Sequence, residues 1–388
     1  MKNIELTRKE IDSVALRLLD IDIQSPQEIE RKLRGLGFHG QDEACRAASV
    51  MAYLHLRRLR QVFIDQVPYS ELPPRANYLL MGASGSGKTH LVDLLFREIL
   101  KLPCLTVDIT QYTETGFVGE EVSAIFNSLI DKAGGARAWA ATGVVLIDEF
   151  DKLSTDRSSG GDRRDVGGMG VQRSLLTLLG SRIASHNPQR PGDREYHLPI
   201  WNITFIAAGA FYGIHKRKPV PEERIPTIGF NSSNREAKRN ETLFAPIDNS
   251  ILCNTKLFAE MGFLPELIGR FSRIVPFQPL DETVLQGIFE SNILPTYIQM
   301  FQDEGFNLDV QPRVREFLVK QTLKRETGAR GFQAALLPVL ERAIFDRFGQ
   351  NNTTPTDVVL SLDGEDQIQI EYKESDTLEA DQRHKTAA

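Results

Sequence analysis

Gly82-Ala83-Ser84-Gly85-Ser86-Gly87-Lys88-Thr89 follows the apolar run Tyr78–Met81 and precedes an amphipathic stretch that begins near His90. The spacing of its glycines, lysine and threonine is that of a phosphate-binding loop set between a strand and a helix. Glycines let successive backbone N–H groups wrap around phosphate oxygens, and the helix N-terminus adds the positive end of its dipole. Lys88 is then expected to reach the β- and γ-phosphates and Thr89 to ligate Mg²⁺. The expected cofactor is ATP with Mg²⁺, held by Gly82, Ala83, Ser84, Gly85, Ser86, Gly87, Lys88, Thr89 and His90. A Gly-rich turn with no ligand would explain neither Lys88-Thr89 nor the flanking strand and helix.

Outward from this loop, short apolar runs alternate with helical stretches from Tyr78 to Phe277. That alternation predicts an α/β fold, a largely parallel sheet covered by helices. Strands are expected near Tyr78–Met81, Cys104–Asp108, Val144–Ile147, Ile203–Ala207 and Ile274–Phe277. Open sheets of this kind place ligands at the carboxyl ends of their strands. There the run Val144-Val145-Leu146-Ile147 ends in Asp148-Glu149. Alone, two acids are an ordinary solvated strand end. Downstream of a phosphate loop they supply what nucleotide hydrolysis needs, Asp148 for the metal and Glu149 to polarise the attacking water.

Composition narrows the class. The 388 residues carry 46 Lys and Arg against 52 Asp and Glu, a formal charge of -6. That balance argues against nucleic-acid binding through bulk positive charge. Cys45, Cys104 and Cys253 lie far apart and form neither a paired zinc-ligand spacing nor a disulfide framework. No apolar run is long enough to span a bilayer, so a cytoplasmic protein with no membrane partner is expected.

Four segments follow. Residues 1–36 read as a helical lead-in, with Ser25-Pro26 as a helix restart, and residues 37–278 as the large α/β domain, opened by an amphipathic helix from Asp42 to about Phe63. Residues 279–372 read as a small, mainly helical domain with helices near Asp281–Asp303, Pro312–Lys324 and Ala329–Phe348, and residues 373–388 as a charged tail. Ser154–Gly170 and Lys216–Asn240 interrupt the α/β pattern and read as loops, a length that usually signals function or disorder.

Several short motifs make a family resemblance specific. Gly116-Phe117-Val118-Gly119 and the run from Arg164 through Val166 to Gln172 resemble the two substrate-gripping pore loops of the ClpX unfoldases, a family of AAA+ ATPases. The family usually has Tyr where Phe117 stands, and Phe keeps the ring that wedges against a chain. Read alone, Phe117 is a phenylalanine in a tight turn. Gly262–Arg270 resembles the segment that ends in the family's arginine finger, which implies that Arg270 reaches nucleotide bound by a neighbouring subunit. Gly328-Ala329-Arg330-Gly331 resembles the sensor-2 motif, which implies that Arg330 faces the nucleotide of its own subunit. By themselves these are a surface arginine and an arginine at a helix start. Phe38 and His39 stand where the family cups adenine, and could stack on the base or close a hairpin. Ile228-Gly229-Phe230 stands where the family carries a tripeptide that docks on a peptidase ring.

The resemblance runs from about Ser25 to Tyr372; besides Phe117 and the Phe38-His39 pair, which stands where the family usually has a small apolar pair, it departs from the family in two further places. No cysteine quartet is present for the zinc-binding module of many ClpX proteins. The loop Gln189–His197 keeps arginines but adds acids where the family has a basic entrance loop. The function implied is a homo-hexameric, ATP-dependent unfoldase that pulls polypeptide substrates through a pore, with Glu149, Asp148, Lys88, Arg270 and Arg330 handling ATP. Delivery to a ClpP-like peptidase is the extension. A remodeller of one assembly with no peptidase, and a nucleotide-gated scaffold, are the alternatives.

Overall fold

The computed structural model describes residues 6–113, 120–154, 166–181, 183–186, 196–212, 255–325, 327–348, 356–364 and 366–374. Phe117, Val118, Arg164, the tripeptide Ile228, Gly229 and Phe230, residues 189–195 of the Gln189–His197 loop, all of Lys216–Asn240 and the tail after Glu374 lie outside them.

By internal contacts the chain divides into two compact units. The first comprises Met1–Leu33, Gln41–Ala83 and Gly87–Pro279, and the second Arg34–Gly40, Ser84–Ser86 and Leu280–Ala388.

In the first unit the strands are β1 (Tyr78–Met81), β2 (Cys104–Asp108), β3 (Tyr112–Thr113), β4 (Glu120–Glu121), β5 (Val144–Asp148), β6 (Ile183–His186), β7 (Tyr196–Pro199), β8 (Thr204–Gly209) and β9 (Arg273–Pro276). Five of them form one parallel sheet in the order β2-β5-β8-β1-β9. Every residue of β1 and β8 is buried, as a parallel sheet covered on both faces requires. The order matters for function, because β8 lies between the strand that leads into the phosphate loop and the strand that ends in the carboxylates.

The Asp42–Phe63 helix forms because Ala44, Ala48, Met51, His55, Leu59 and Phe63 recur at helical spacing on one buried face. Its entry is fixed by Gln41, which accepts from Gln278 N over 2.8 Å and donates to Gln278 O over 2.7 Å. The lead-in contains the helices Arg8–Leu19 and Pro26–Gly35. Thr7 and Glu10 close a reciprocal capping box on the first. Its partners, unreadable from sequence, are the Asp42–Phe63 helix and the short Arg137–Ala140 helix; on the latter, Glu10 pairs with Arg137 at 3.3 Å and Arg17 lies over the Trp139 ring at 5.0 Å.

The Ser154–Gly170 loop expectation needs correction at its carboxyl end, where a helix runs from Val166 to Gly180. Val171, Leu175, Leu178 and Leu179 bury at helical spacing, and that apolar stripe outweighs the low helix propensity of three early glycines.

The second unit contains the helices Glu282–Ile288, Leu294–Asp303, Pro312–Arg325 and Arg330–Arg347, with a π-helical turn over Phe289–Ile293. It also contains a three-stranded sheet of β10 (Phe306–Val310), β11 (Thr356–Leu362) and β12 (Ile368–Glu374). β10 and β11 run parallel, and β11 and β12 antiparallel. Ile368, Ile370 and Tyr372 alternate along β12. Phe289, Phe301, Leu308, Phe332, Leu336 and Leu360 form the core on which helices and sheet close. No described helix is long and apolar enough to cross a membrane.

Candidate functional site

The phosphate loop leaves β1 at Gly82, whose N–H donates to Gly209 O at the end of β8 over 3.2 Å. A Cβ on Gly82 would lie 2.5 Å from Phe277 O and 2.6 Å from Phe277 Cβ, so only glycine fits this close approach. Gly87 then takes φ +96° and starts the Lys88–Asp93 helix, with His90 in its first turn. Lys88 is buried, and its Nζ donates to Gly82 O at 2.6 Å and Ala83 O at 2.9 Å. The ammonium is thus held inside the loop on two carbonyls. Phosphate oxygens would offer it the same contacts with full negative charge.

Thr89 Oγ1 donates to Asp148 Oδ2 over 2.8 Å. Asp148 Oδ1 accepts from Glu149 N over 2.9 Å, which fixes the carboxylate plane at the end of β5. A hydroxyl beside a carboxylate is the hard-oxygen donor set that Mg²⁺ takes from protein, the remaining positions falling to water and phosphate. Glu149 is exposed and sits at φ +55°, a left-handed conformation unfavourable for a branched backbone and tolerated where the surroundings impose it. Asp148 and Glu149 line a cleft of about 420 Å³ with Asp108, Gln111, Tyr112 and Ser128, so Glu149 has room for water beside it.

Two further residues brace this carboxylate turn, and a third braces the Arg270 segment. Asp151 is buried, and its Oδ1 accepts from Ala210 N over 3.0 Å, joining the Phe150–Leu153 turn to the end of β8. Gln172 is fully buried and bonds three backbone groups in other segments. Asn77 donates to Arg270 O over 3.1 Å and accepts from Phe205 N over 3.3 Å. An acid two residues beyond the Asp148-Glu149 pair is the only sequence signal of the first; Gln172 is marked only as the end of the run that resembles the second pore loop, and Asn77 leaves no signal.

Arg270 follows the Pro265–Ile268 helix, with its backbone clamped by Asn77 and its side chain exposed. Val166 opens its helix.

In the second unit, Gly85 and Gly328 pack backbone to backbone: a Cβ on Gly85 would lie 2.2 Å from Thr327 O, and one on Gly328 2.4 Å from Gly85 O. Arg330 begins its helix there with an exposed side chain, Nη1 donating to Ser84 Oγ over 3.5 Å. The Ser86 hydroxyl is buried with no hydrogen-bonding partner among the described residues. A buried orphan of this kind in a phosphate loop fits a missing acceptor or donor from ligand. Phe38 is buried, and His39 Nε2 lies 2.6 Å from Ser291 Oγ. Arg34 Nη1 donates to Phe38 O and Gly40 O, which holds that loop closed.

The donor set, the buried ammonium and the glycine cradle fit nucleotide with Mg²⁺, and the comparisons with known proteins agree. The family described as AAA domain (Cdc48 subfamily) matches residues 73–274, more than half of the chain. The C-terminal, D2-small domain of ClpB protein matches residues 280–360. An ATP-dependent Clp protease ATP-binding subunit ClpX of Bacteroides fragilis is 32% identical over 345 residues, covering 86% of this chain and 79% of that protein. One of Azotobacter vinelandii is 35% identical over 323 residues, covering 79% of this chain and 71% of that protein. ClpX 3 of Methylococcus capsulatus is 33% identical over 344 residues, covering 84% and 77%. With a phosphate loop, a hydroxyl–carboxylate pair and a water-accessible glutamate on an AAA+ sheet, the chain belongs to the ClpX family of AAA+ ATPases.

Proposed function

We propose that this ATPase is a ring-forming protein unfoldase, a homo-hexamer that draws polypeptides through its pore and hands them to a ClpP-like peptidase. The 2.8 Å bond from Thr89 to Asp148, with the exposed Glu149 one residue further on, carries the hydrolytic part of this reading. When bound, Mg²⁺·ATP supplies the phosphoanhydride whose cleavage drives the motor. Thr89 and Asp148 would hold the metal, and Lys88, which now donates to the Gly82 and Ala83 carbonyls, would donate to phosphate oxygens. Glu149 orients the attacking water and takes its proton. Arg270, exposed on a clamped backbone, reaches the nucleotide of the next subunit, where a guanidinium offsets the charge that develops as the phosphate transfers. Arg330 answers the nucleotide of its own subunit, so that turnover is felt as a hinge movement.

The pulling part rests on the family and on the relatives' printed role as ATP-binding subunits of a Clp protease. Phe117 and Val118 grip substrate, Arg164 and Val166 lie in the second pore segment, and Ile228-Gly229-Phe230 docks on the peptidase.

The Glu149→Gln protein tests the whole. In ATP it should retain nucleotide, stop hydrolysing, and hold substrate and peptidase together in a pull-down. Undiminished phosphate release would sink the assignment. Deleting residues 228–230 should abolish peptidase capture and leave hydrolysis intact; unchanged capture would refute docking through this tripeptide, and no capture by the intact protein would favour a stand-alone remodeller.

A further inference from the structure

Gln172 lies in the Val166–Gly180 helix and is fully buried. A carboxamide has two N–H donors and an oxygen, and here each is used. Nε2 donates to Leu153 O over 2.8 Å and to Gly262 O over 3.1 Å, and Oε1 accepts from Leu264 N over 2.8 Å. Leu153 ends the turn that begins immediately after Glu149, and Leu264 caps the short helix that leads to Arg270. One side chain therefore joins the turn bearing Glu149, the segment bearing Arg270, and the helix that continues from the second pore segment.

An aromatic contact repeats the connection. Phe150, the residue after Glu149, stacks on Phe263 at 5.5 Å and meets Phe271 edge-on at 5.5 Å. Phe263 and Phe271 bracket the stretch from Leu264 to Arg270. Packing of this kind fixes distance but slides easily, whereas three directed hydrogen bonds fix register. Leucine or methionine would fill the same volume, so a buried glutamine is explained by what it joins.

We infer that Gln172 is a positioning residue of the ATPase, setting Arg270 and the pore-side helix in fixed register with the carboxylate turn of the same subunit. The inference rests on the proposed roles of Glu149 and Arg270 and adds the element that couples them. A change felt at Glu149 is then transmitted to the arginine presented to the next subunit and to the helix behind the pore segment.

The test uses the full chain with Gln172→Met, which keeps length and volume, and Leu175→Ala, a buried change on the same helix that also costs stability. Thermal midpoint, affinity for a fluorescent ATP analogue, and kcat and KM for ATP are measured for each. Gln172→Met should lower kcat by roughly 10-fold or more while affinity changes by no more than about 3-fold, the pattern of a misplaced catalytic group. Leu175→Ala should keep kcat near wild type at an equal or larger loss of thermal midpoint. If Gln172→Met does not fold, Gln172→Asn, too short to span all three bonds, takes its place. In Gln172→Met/Arg270→Ala the losses should be non-additive, the double variant being no slower than Arg270→Ala. Additive losses, or kcat falling only in proportion to stability in both helix variants, would overturn the inference. Glu149→Gln, assayed alongside, separates the cases: if it hydrolyses normally the parent reading fails, and if it is inactive while Gln172→Met is fully active only the positioning role fails.

Discussion

Thr89 Oγ1 donates to Asp148 Oδ2 over 2.8 Å, joining the end of the phosphate loop to the end of β5 although 59 residues separate them. In the proposed role of Thr89, removing the hydroxyl leaves the metal one fewer protein ligand. Thr89→Ala should raise the Mg²⁺ concentration needed for half-maximal hydrolysis by about 10-fold or more, and Thr89→Ser, which keeps the oxygen, should stay close to wild type. An Mg²⁺ titration of phosphate release checks this, and superimposable curves for the Ala variant and wild type would refute it.

Lys88 should matter for nucleotide far more than for folding. In the folded chain its ammonium rests on two loop carbonyls, contacts that water can replace in part once the side chain is gone. Lys88→Ala should weaken ATP binding by about 10- to 100-fold, the range of charge-assisted bonds, with a change of only a few degrees in thermal midpoint. Nucleotide titration and a melting curve decide it, and unaltered affinity would contradict the assignment.

The junction between β8 and the carboxylate turn leaves no room. A Cβ on Gly209 would lie 2.7 Å from the Phe211 ring, 2.8 Å from Asp151 Oδ1 and 2.9 Å from Asp151 N. Gly209→Ala should cost about 1–3 kcal/mol by overpacking and should displace the turn that carries Glu149, lowering kcat as well. Asp151→Ala should cost about 1–3 kcal/mol because Ala210 N is left buried without its acceptor, and Asp151→Asn, which keeps an oxygen there, should cost less. Urea unfolding of the three variants measures the order; Asn costing as much as Ala would show that the bond to Ala210 is not the cause.

His55 makes stability depend on pH. Burial, the first cause, holds its pKa down to about 4 from the ordinary 6.5, with the Arg58 charge acting the same way and the bond to Thr142 O opposing. Since Thr142 O can only accept, Nε2 carries the proton, and Nδ1 accepts from the Thr204 hydroxyl at 2.9 Å, as a neutral ring does. The unfolded chain therefore binds the proton first as pH falls. The contribution is fully present above about pH 6.5 and is lost toward pH 4, by then about 3 kcal/mol. In His55→Gln that component should vanish, so the stability gap between wild type and variant should narrow from pH 7 to pH 4.5. A gap constant across that range would show that His55 does not titrate in this way.

The parallel sheet was legible because its five strands are nearly continuous apolar runs, and such runs have few alternatives once helical stretches alternate with them. β10 and β11 were not. Phe306, Leu308 and Val310 alternate as a half-buried strand does, but five residues between two helices compete with an ordinary helix connection. β11 becomes a strand by pairing with β10, across a sequence gap that no local pattern bridges. Val166–Gly180 was partly hidden because the glycines at its start read as loop, while the leucines that drive its burial lie further on.

What the sequence marked by itself was the candidate nucleotide site. Phosphate binding demands particular residue types at a fixed short spacing, so Gly82–Thr89 stands out within one segment, and Asp148-Glu149 gains its reading from lying at a strand end downstream of it. What only the tertiary structure decided was the bracing. Gln172 meets Leu153, Gly262 and Leu264, and Asp151 meets Ala210, through backbone atoms that every residue possesses. Backbone partners leave no mark on the partner's side chain, and their pairing depends on where segments 19 to 92 residues apart come to lie.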